Sequence, residues 1–349
     1  MRNRMVVAAM MAMLLVLRAE SAPPATPGEI VAWGNNNHMQ CNVPVPNGGF
    51  VAICAGYEHS LGLKADGSVV GWGMNAYGQC DPPSPNTGFV AVAAGYGHSV
   101  GLRADGTVVV WGDDSQGQWN VPGTNAGFVA VSAGEWHCVG LKNDGSVVAW
   151  GANTYGQCDV PSKNSGFVAI SAGWDHNLAL KADGSIAGWG FSSHGQAQPP
   201  SQNTGFVAIA CGGDHNLALK ADTSIFAWGY NNDSQGHYAG QIDVPTPNIG
   251  WVAIAGGYQH SLGIKTDGSV VAWGLNADGQ CDIPLPNKGF VAIAGGNNWS
   301  MAIREACEFK LAGDLNDDCN VSLLDLAIMA ENWMKACRSA SPDPACIPK

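Results

Sequence analysis

A Trp-Gly dipeptide recurs along this chain of 349 residues at a nearly constant interval, and the recurrence limits the fold more than any other feature. Five successive intervals measure 39 residues and the sixth measures 45. The dipeptide begins at Trp33, Trp72, Trp111, Trp150, Trp189, Trp228 and Trp273. A second marker, Phe-Val-Ala, keeps the same phase, with Trp251 replacing the phenylalanine once. A fixed period of this length predicts a repeat protein in which each unit buries its apolar face against its neighbour.

A single repeat, residues 89–127, has strand patterns and no helical period. Short apolar or alternating segments over residues 89–112 are followed by a shorter extended piece at 120–122. Turn residues such as Asp105-Gly106 separate these segments, and an Asp-Gly pair between two apolar runs is typical of a β-hairpin. We therefore predict four short antiparallel strands per repeat, which is the content of one propeller blade.

The two ends of the repeat region carry complementary halves of one unit. Residues 28–34 match the third strand of the repeat, whereas residues 290–304 contain the first two strands and stop before any Trp-Gly. Pairing these halves would remove the two unpaired strand edges that an open array leaves exposed. The predicted fold class is therefore all-β: a closed seven-bladed β-propeller over residues 28–305, followed by a small C-terminal loop-helix module.

The repeat itself resembles that of a known superfamily. Residues 55–79, AGYEHSLGLKADGSVVGWGMNAYGQ, are similar to the repeat of RCC1-type propellers. The short period and the segment 157–161, Gln-Cys-Asp-Val-Pro, most resemble the repeat of β-lactamase inhibitor protein II, an exported bacterial seven-bladed propeller. Those inhibitors hold a target enzyme on a loop face lined by aromatic residues, so the resemblance implies a protein partner. RCC1 itself is a guanine-nucleotide exchange factor for a nuclear GTPase and docks on chromatin.

Several repeated positions are interpreted as scaffold. Six repeats place a histidine at one position, with no second ligand at metal spacing, which favours a buried structural role. A position that holds cysteine in four repeats holds Trp119, Ala197 or Ile242 in the others, which indicates an apolar pocket. Asp222-Thr223 replaces the Asp-Gly turn of five other repeats, so we expect this turn to be the most strained. The six histidines are His59, His98, His137, His176, His215 and His260.

The loops that vary between repeats fall on one face of the predicted propeller. Strands alternate in direction, so the loops between strands one and two and between strands three and four emerge together. These loops carry large aromatic residues, the side chains that dominate protein interfaces. The candidate partner-binding residues are Tyr57, Tyr77, Tyr96, Trp136, Tyr155, Trp174, Phe191, Tyr230 and Tyr258. We therefore expect a macromolecular partner, in particular an extracellular protein. The alternatives are stacking of sugar rings by a carbohydrate-binding accessory protein, and sequence drift at unconstrained loop tips.

Catalytic signatures are missing from the sequence. We find no Ser/His/Asp grouping, no paired-carboxylate signature and no phosphate loop, so we expect no enzymatic activity and no cofactor in the propeller. An enzyme stays an alternative only if acidic residues that are distant in sequence meet at the mouth of the central channel.

The N-terminus and the charge point to the compartment and exclude some partners. Residues 1–21 combine a basic start, an apolar run at 5–17 and small residues at 19–21, the pattern of a secretory signal. A buried N-terminal helix is the alternative. We expect a secreted, periplasmic or cell-surface protein. The formal net charge of -12 and the lack of a Lys/Arg cluster predict no nucleic-acid partner, and together with export no guanine-nucleotide exchange on a nuclear GTPase.

The C-terminal segment 307–346 resembles one half of a dockerin. Five side chains fall at positions 1, 3, 5, 9 and 12 of a calcium loop, with the Asn320 carbonyl at position 7: Asp314, Asn316, Asp318, Ser322 and Asp325. Cys319 replaces the usual glycine, and the second dockerin repeat is absent. We predict bound calcium, with a solvated acidic turn as the alternative, and a cohesin-like or cell-surface partner. Four cysteines bracket the segment and are expected to form two disulfides: Cys307, Cys319, Cys337 and Cys346.

Overall fold

The computed structural model describes residues 27–305. The signal predicted at 1–21 and the module predicted at 307–346 lie outside these residues, and so do the six proposed calcium ligands and the four cysteines of that module. Residues 27–305 form strands, turns and bends, without a helix. No helix capable of crossing a membrane is therefore found in this part of the chain.

The described residues form 21 short strands of similar length. In chain order they are β1 (Gly28–Gly34), β2 (Phe50–Ala55), β3 (His59–Lys64), β4 (Val69–Gly73), β5 (Phe89–Ala94), β6 (His98–Arg103), β7 (Val108–Gly112), β8 (Phe128–Ala133), β9 (His137–Lys142), β10 (Val147–Gly151), β11 (Phe167–Ala172), β12 (His176–Lys181), β13 (Ile186–Gly190), β14 (Phe206–Cys211), β15 (His215–Lys220), β16 (Ile225–Gly229), β17 (Trp251–Gly256), β18 (His260–Lys265), β19 (Val270–Gly274), β20 (Phe290–Gly295) and β21 (Trp299–Glu305).

The strands pair as repeated three-stranded antiparallel units of the propeller type. Six units consist of three consecutive strands each, from β2–β3–β4 to β17–β18–β19. The strands that remain, β20 and β21, are joined by β1 from the other end of the described chain, and a single pair, Gly28 opposite Phe50, also links β1 to β2. β1 and β21 pair over seven residues, from Gly28 opposite Glu305 to Gly34 opposite Trp299. The complementary halves predicted at the two ends therefore do pair with each other.

The fourth strand predicted for each unit is wrong. Instead of a strand ladder, an asparagine side chain holds the returning segment: Val108 N donates to Asn125 Oδ1 at 2.8 Å, and Asn125 Nδ2 donates to Val108 O at 2.7 Å. Proline interrupts this segment and has no N–H to donate to a ladder. One amide thus satisfies both main-chain groups of Val108, as a neighbouring strand would. The same clamp recurs at Asn47, Asn86, Asn164, Asn203, Asn248 and Asn287.

A hydrogen-bond network joins each unit to the next through the repeated histidine. His59 is fully buried, and its Nε2 lies 2.9 Å from Ser99 Oγ of the following unit. Ser99 Oγ donates in turn to the main-chain oxygen of Gln79, which also accepts from Trp111 Nε1 at 2.9 Å. Burial lowers the pKa of His59 to about 3, so the imidazole is neutral. The histidines are scaffold, as the sequence indicated.

The turn at Thr223 is the exception that the sequence predicted. Glycine occupies this turn position in five other units with φ near 80°, for example 79° at Gly184. Thr223 adopts φ 67°, a left-handed conformation that a β-branched residue rarely takes. Its Oγ1 accepts a hydrogen bond from Gly250 N at 3.0 Å, which offsets part of the backbone strain.

The packing of β1 against the neighbouring strands can be tested by truncating one of its side chains. Ile30 is 3% exposed and packs with Phe50, Met301 and Ile303. We expect Ile30→Ala to lower the free energy of unfolding by about 2–5 kcal/mol, because it opens a cavity at this contact. Chemical denaturation measures the change. Val90→Ala, at a side chain that is 37% exposed, should cost about 0.5 kcal/mol or less. Equal effects of the two substitutions would mean that β1 is not packed there.

Candidate functional site

Two sets of loops emerge on the same side of the antiparallel units and form what we call the aromatic face. The first set joins the first and second strands of each unit, as residues 56–58 do between β2 and β3. The second set follows the third strand, as residues 74–81 do after β4. All nine predicted partner-binding residues lie in these loops.

Five of the nine residues form one continuous cluster at the centre of the aromatic face. The ring centroids of Trp136 and Tyr96 are 4.6 Å apart, and those of Tyr96 and Tyr57 are 4.4 Å apart. Tyr57 reaches Trp174 at 6.0 Å. Trp174 stacks on Tyr258 with 3.8 Å between centroids and 10° between the ring planes. These rings come from five different units, yet each is in contact with the next.

Glycines in two loops make room for the rings. A Cβ at Gly213 would lie 2.5 Å from the Tyr258 ring, so only glycine lets Tyr258 extend across this unit to Trp174. A Cβ at Gly97 would lie 3.0 Å from the ring of Tyr77. The small loop residues of these two units therefore serve the placement of aromatic residues from their neighbours.

The other four predicted residues lie around this cluster. Tyr155 contacts Phe191 at 4.9 Å, and Tyr230 contacts His194 at 4.0 Å between centroids. Tyr77 and Tyr155 are the most accessible of the nine, at 50% and 51% exposure. The aromatic face thus has a half-buried centre and an exposed rim.

Trp119 lies at the exposed rim of the aromatic face, and its predicted place in an apolar pocket is wrong. Its position was interpreted as an apolar pocket, which fits buried Cys80 and Ala197, but Trp119 is 51% exposed. An indole is far larger than the side chains of Cys or Ala, and this size difference was the signal that it must turn outward. Trp119 adds a half-exposed indole to the loops of this face.

A central cavity of about 120 Å³ lies beneath the cluster. Its wall consists mainly of the Ala-Gly pairs that end the first strands, such as Ala55-Gly56 and Ala94-Gly95. Ligand pockets usually measure about 300–1,000 Å³, so this cavity is too small for most substrates. The exposed rings of Tyr77, Trp119 and Tyr155 lie outside it and offer a surface for a macromolecule instead.

Three carboxyl groups meet beside the aromatic cluster, and the sequence did not bring them together. Burial and the neighbouring Asp214 raise the pKa of Asp175 to about 6. Burial raises the pKa of Asp214, and burial followed by repulsion from Asp175 and Asp214 raises the pKa of Glu135. Gln157 Nε2 donates to Asp175 at 2.9 Å, and Gln196 Nε2 donates to Asp214 at 2.9 Å. Two buried amides therefore fix the positions of two carboxylates that repel each other.

A groove of about 290 Å³ opens next to these acids. Glu135 and Asp175 line it, together with the side chains of Trp136 and Tyr155. The alternative of an enzyme required acids at the mouth of the central channel, but of these three acids only Glu135 lines the central cavity, and Asp175 lines the groove. Residues 27–305 contain no grouping of three or more His, Cys, Asp or Glu side chains suited to a metal ion.

The described cysteines are free thiols and poor nucleophiles. Burial raises the pKa of Cys80 to about 12 and that of Cys158 to about 11. A thiol with such a pKa stays protonated at neutral pH, whereas reactive cysteines have a lowered pKa.

Comparison with known proteins identifies the type of repeat. Six segments match the family model described as Regulator of chromosome condensation (RCC1) repeat, and together they span just over half of the chain: 50–79, 89–118, 128–157, 167–196, 206–235 and 251–280. No curated protein matches the chain.

Solved structures share the fold at low sequence identity. Prp20p from Saccharomyces cerevisiae, whose structure was described together with its binding properties to Gsp1p and histones, is 18% identical with a TM-score of 0.66. The match covers 89% of this chain and 95% of Prp20p. Human WBSCR16 is 18% identical with a TM-score of 0.63, covering 80% and 99% of the two chains. The ectodomain of the receptor kinase ACR4 from Arabidopsis thaliana is 27% identical with a TM-score of 0.56, covering 70% and 88%.

The burial of Asp175, together with repulsion from Asp214, predicts that replacing Asp175 with a neutral residue stabilises the protein in a pH-dependent way. The folded-state pKa of Asp175 is raised from 3.8 to about 6, so ionisation destabilises the folded protein as pH rises through this interval. We expect Asp175→Asn to raise the melting temperature at pH 8 by roughly 2–4 °C, with little difference at pH 4. Asparagine retains an oxygen that can accept from Gln157.

Asp66 provides the matched control for this measurement. Hydrogen bonds from the Ser68 side chain and main chain lower the pKa of Asp66, so its ionised form is favoured in the folded state. Thermal unfolding of Asp66→Asn should therefore show no gain at pH 8. If Asp175→Asn behaved in the same way as Asp66→Asn, neither burial nor repulsion would disfavour the ionised form of Asp175 in solution.

Proposed function

The chain belongs to the RCC1 repeat family, and from that premise we propose that it is a non-catalytic binding protein that recognises a protein partner through its aromatic face. The supporting observation is the continuous cluster of five rings, from Trp136 through Tyr57 to Tyr258, contributed by five units. Tyrosine and tryptophan supply much of the binding energy at protein interfaces, because they bury a large area with few rotatable bonds.

We also propose that the units close into one ring of seven blades. Support comes from β1, which pairs with β21 while Trp33 Nε1 donates to the main-chain oxygen of Gln280 in the preceding unit at 2.9 Å. The first strands of neighbouring units contact one another in series, and β20 contacts β2. A closed ring would hold all the loops of the aromatic face on one rigid scaffold.

The proposal includes export and a docking tail. The sequence pattern of residues 1–21 supports a secreted, periplasmic or cell-surface protein. The dockerin-like segment 307–346 would bind calcium through its Asp, Asn and Ser ligands and attach the protein to a cohesin-like or cell-surface partner. The likeness to β-lactamase inhibitor protein II also rests on the sequence alone, namely on the short repeat period and on residues 157–161.

The identity of the partner does not follow from the solved relatives. The binding of Prp20p to Gsp1p and histones runs against our sequence-based exclusion of nuclear partners. At 18% identity that likeness establishes the fold alone, because binding specificity lies in loops that differ between family members. The exclusion of guanine-nucleotide exchange therefore stays a prediction from the acidic charge and the N-terminal signal.

Carbohydrate is the second candidate ligand. The half-exposed rings of Tyr77, Trp119 and Tyr155 favour it, since aromatic rings at the rim of a surface can stack on sugar rings. A protein partner fits the centre better, because the five central rings pack against one another and leave no slot for a sugar between them.

Affinity capture tests the proposed function with a matched pair of triple variants. The full chain serves as bait for extract and culture medium of the producing organism, and a glycan array is run in parallel. We expect Trp136→Ala/Trp174→Ala/Tyr258→Ala to lose most of the partner captured by the unmodified protein, because each residue is a candidate hot spot worth about 2 kcal/mol or more.

The control variant carries three alanine substitutions on the opposite side of the units. Val45, Ile249 and Leu285 are exposed by 90%, 63% and 86% and lie in the loops between units. Their replacement should leave capture unchanged. Equal capture by both triple variants would place the binding site elsewhere, and binding on the glycan array that depends on the aromatic residues would favour carbohydrate over protein.

A further inference from the structure

The lysine and arginine residues of the described chain are confined to one side of the units, whereas carboxylates lie on both sides, as Asp66 does beside Lys64. All nine Lys and Arg residues between positions 27 and 305 lie on the side opposite the aromatic face. Seven of them stand at or next to the end of the second strand of a unit, as Lys64 does in β3. The other two, Lys163 and Lys288, lie in the loops between units. The aromatic face therefore has no lysine or arginine from this part of the chain.

The cations of the opposite side are held in place by local contacts. Lys64 Nζ donates to Gly48 O at 3.1 Å and lies 4.6 Å from the centroid of the Phe50 ring. Lys142 Nζ donates to Ala126 O at 2.6 Å and lies 3.4 Å from the centroid of Phe128. These contacts keep positive charge away from the aromatic face.

Carboxylates, in contrast, are numerous on the aromatic face. The loops between first and second strands carry Glu58, Glu135, Asp175 and Asp214. The loops after the third strands carry Asp113, Asp114, Asp233 and Asp278, and the turns that follow add others such as Asp81 and Asp282. Three histidines are the only basic side chains that these loops contribute: His38 lies 3.3 Å from Glu58, His237 lies 3.2 Å from Asp233, and His194 acts electrostatically on Asp214.

We propose that the aromatic face binds a basic protein segment, with a lysine or arginine side chain of that segment seated in the groove between Trp136 and Tyr155 against Glu135 and Asp175. The groove measures about 290 Å³ and is lined by these four residues among others. This inference rests on the proposed binding function and names the chemistry of the partner.

The groove offers both interactions that a basic side chain uses. Carboxylates accept charge-assisted hydrogen bonds from ammonium or guanidinium groups. Indole and phenol rings attract the same cations through their faces. Gln157 holds Asp175 at 2.9 Å, so the acceptor is positioned before the ligand arrives. A bound cation would also relieve the repulsion among Glu135, Asp175 and Asp214, which adds to burial in raising the pKa of Glu135 and of Asp175.

Electrostatic complementarity favours this partner over a neutral glycan or an anionic one. A face that carries many carboxylates and no lysine or arginine steers cationic partners toward it and repels anionic ones, and the effect weakens as salt screens the charges. A sugar gains little from a field of one sign, whereas a basic segment can form several charge pairs along the loops.

A labelled deca-arginine peptide tests the inference by fluorescence anisotropy with the full chain at pH 8 and low ionic strength, with deca-glutamate as the anionic control. We expect deca-arginine to bind and deca-glutamate not to bind. Glu135→Gln/Asp175→Asn should weaken its binding about tenfold or more, because two charge-assisted contacts are lost. Trp136→Ala, which keeps every charge, should weaken binding about two- to fivefold.

Asp81→Asn/Asp282→Asn is the matched control, because it removes two negative charges from the same face outside the groove. It should change the affinity by about threefold at most, the range expected for exposed pairs. An equal loss of affinity in both double variants would show that the attraction is spread over the whole face. The proposal that the groove binds the basic side chain would then be wrong. The Gln and Asn replacements are close in size to the acids, and thermal unfolding verifies that each variant is folded.

Two further outcomes separate this inference from the proposed function. If deca-arginine fails to bind while the aromatic triple variant still loses its captured partner, the partner is not basic but the aromatic face remains the binding site. If the aromatic triple variant keeps its partner, the proposed function itself is wrong, and this inference falls with it.

Discussion

The main-chain carbonyl of a repeated glutamine is the contact on which the stacking of the units depends. Gln79 O, in the loop after β4, accepts hydrogen bonds from Ser99 Oγ and Trp111 Nε1 of the following unit. Both groups are buried, and a buried carbonyl left without a donor would cost about 1–3 kcal/mol. Because this loop also carries residues of the aromatic face, the bonds that join the units also fix the spacing of the binding residues.

The scaffold follows from the sequence because its causes are local and repeated. The Trp-Gly period, the Asp-Gly turns and the complementary ends predicted the three main strands, the pairing of β1 with β21 and the strained turn at Thr223. The fourth strand failed because its extended pattern gave no sign of the Asn125 clamp, in which one side chain replaces a ladder. Trp228 departs too: its indole N–H has no acceptor within the described part of the chain, unlike the equivalent Trp111.

The candidate site was predictable as a set of residues but not as an arrangement. Alternating strand direction was enough to place all nine aromatic residues on one side. Contacts between units that are not adjacent, such as Trp174 with Tyr258, depend on Gly213 leaving the space between them empty. The approach of Asp175 to Asp214 has a different origin, since they lie in adjacent units, 39 residues apart, and the stacking of these units brings them together.

Some residues depart from the repeat pattern without stabilising their own unit, and these residues are concentrated on the aromatic face. The inner strands repeat nearly the same residues in every unit, whereas Gly97, Gly213 and Trp119 break the pattern of their positions. Asp175 goes further, because its ionised form opposes folding at neutral pH and is nevertheless fixed by a buried amide. Residues that lower the stability of the folded protein are expected on surfaces that bind a partner. The burial of neighbouring carboxylates beside one another is therefore better explained by a cationic partner that would stabilise their ionised forms than by the packing of the protein alone.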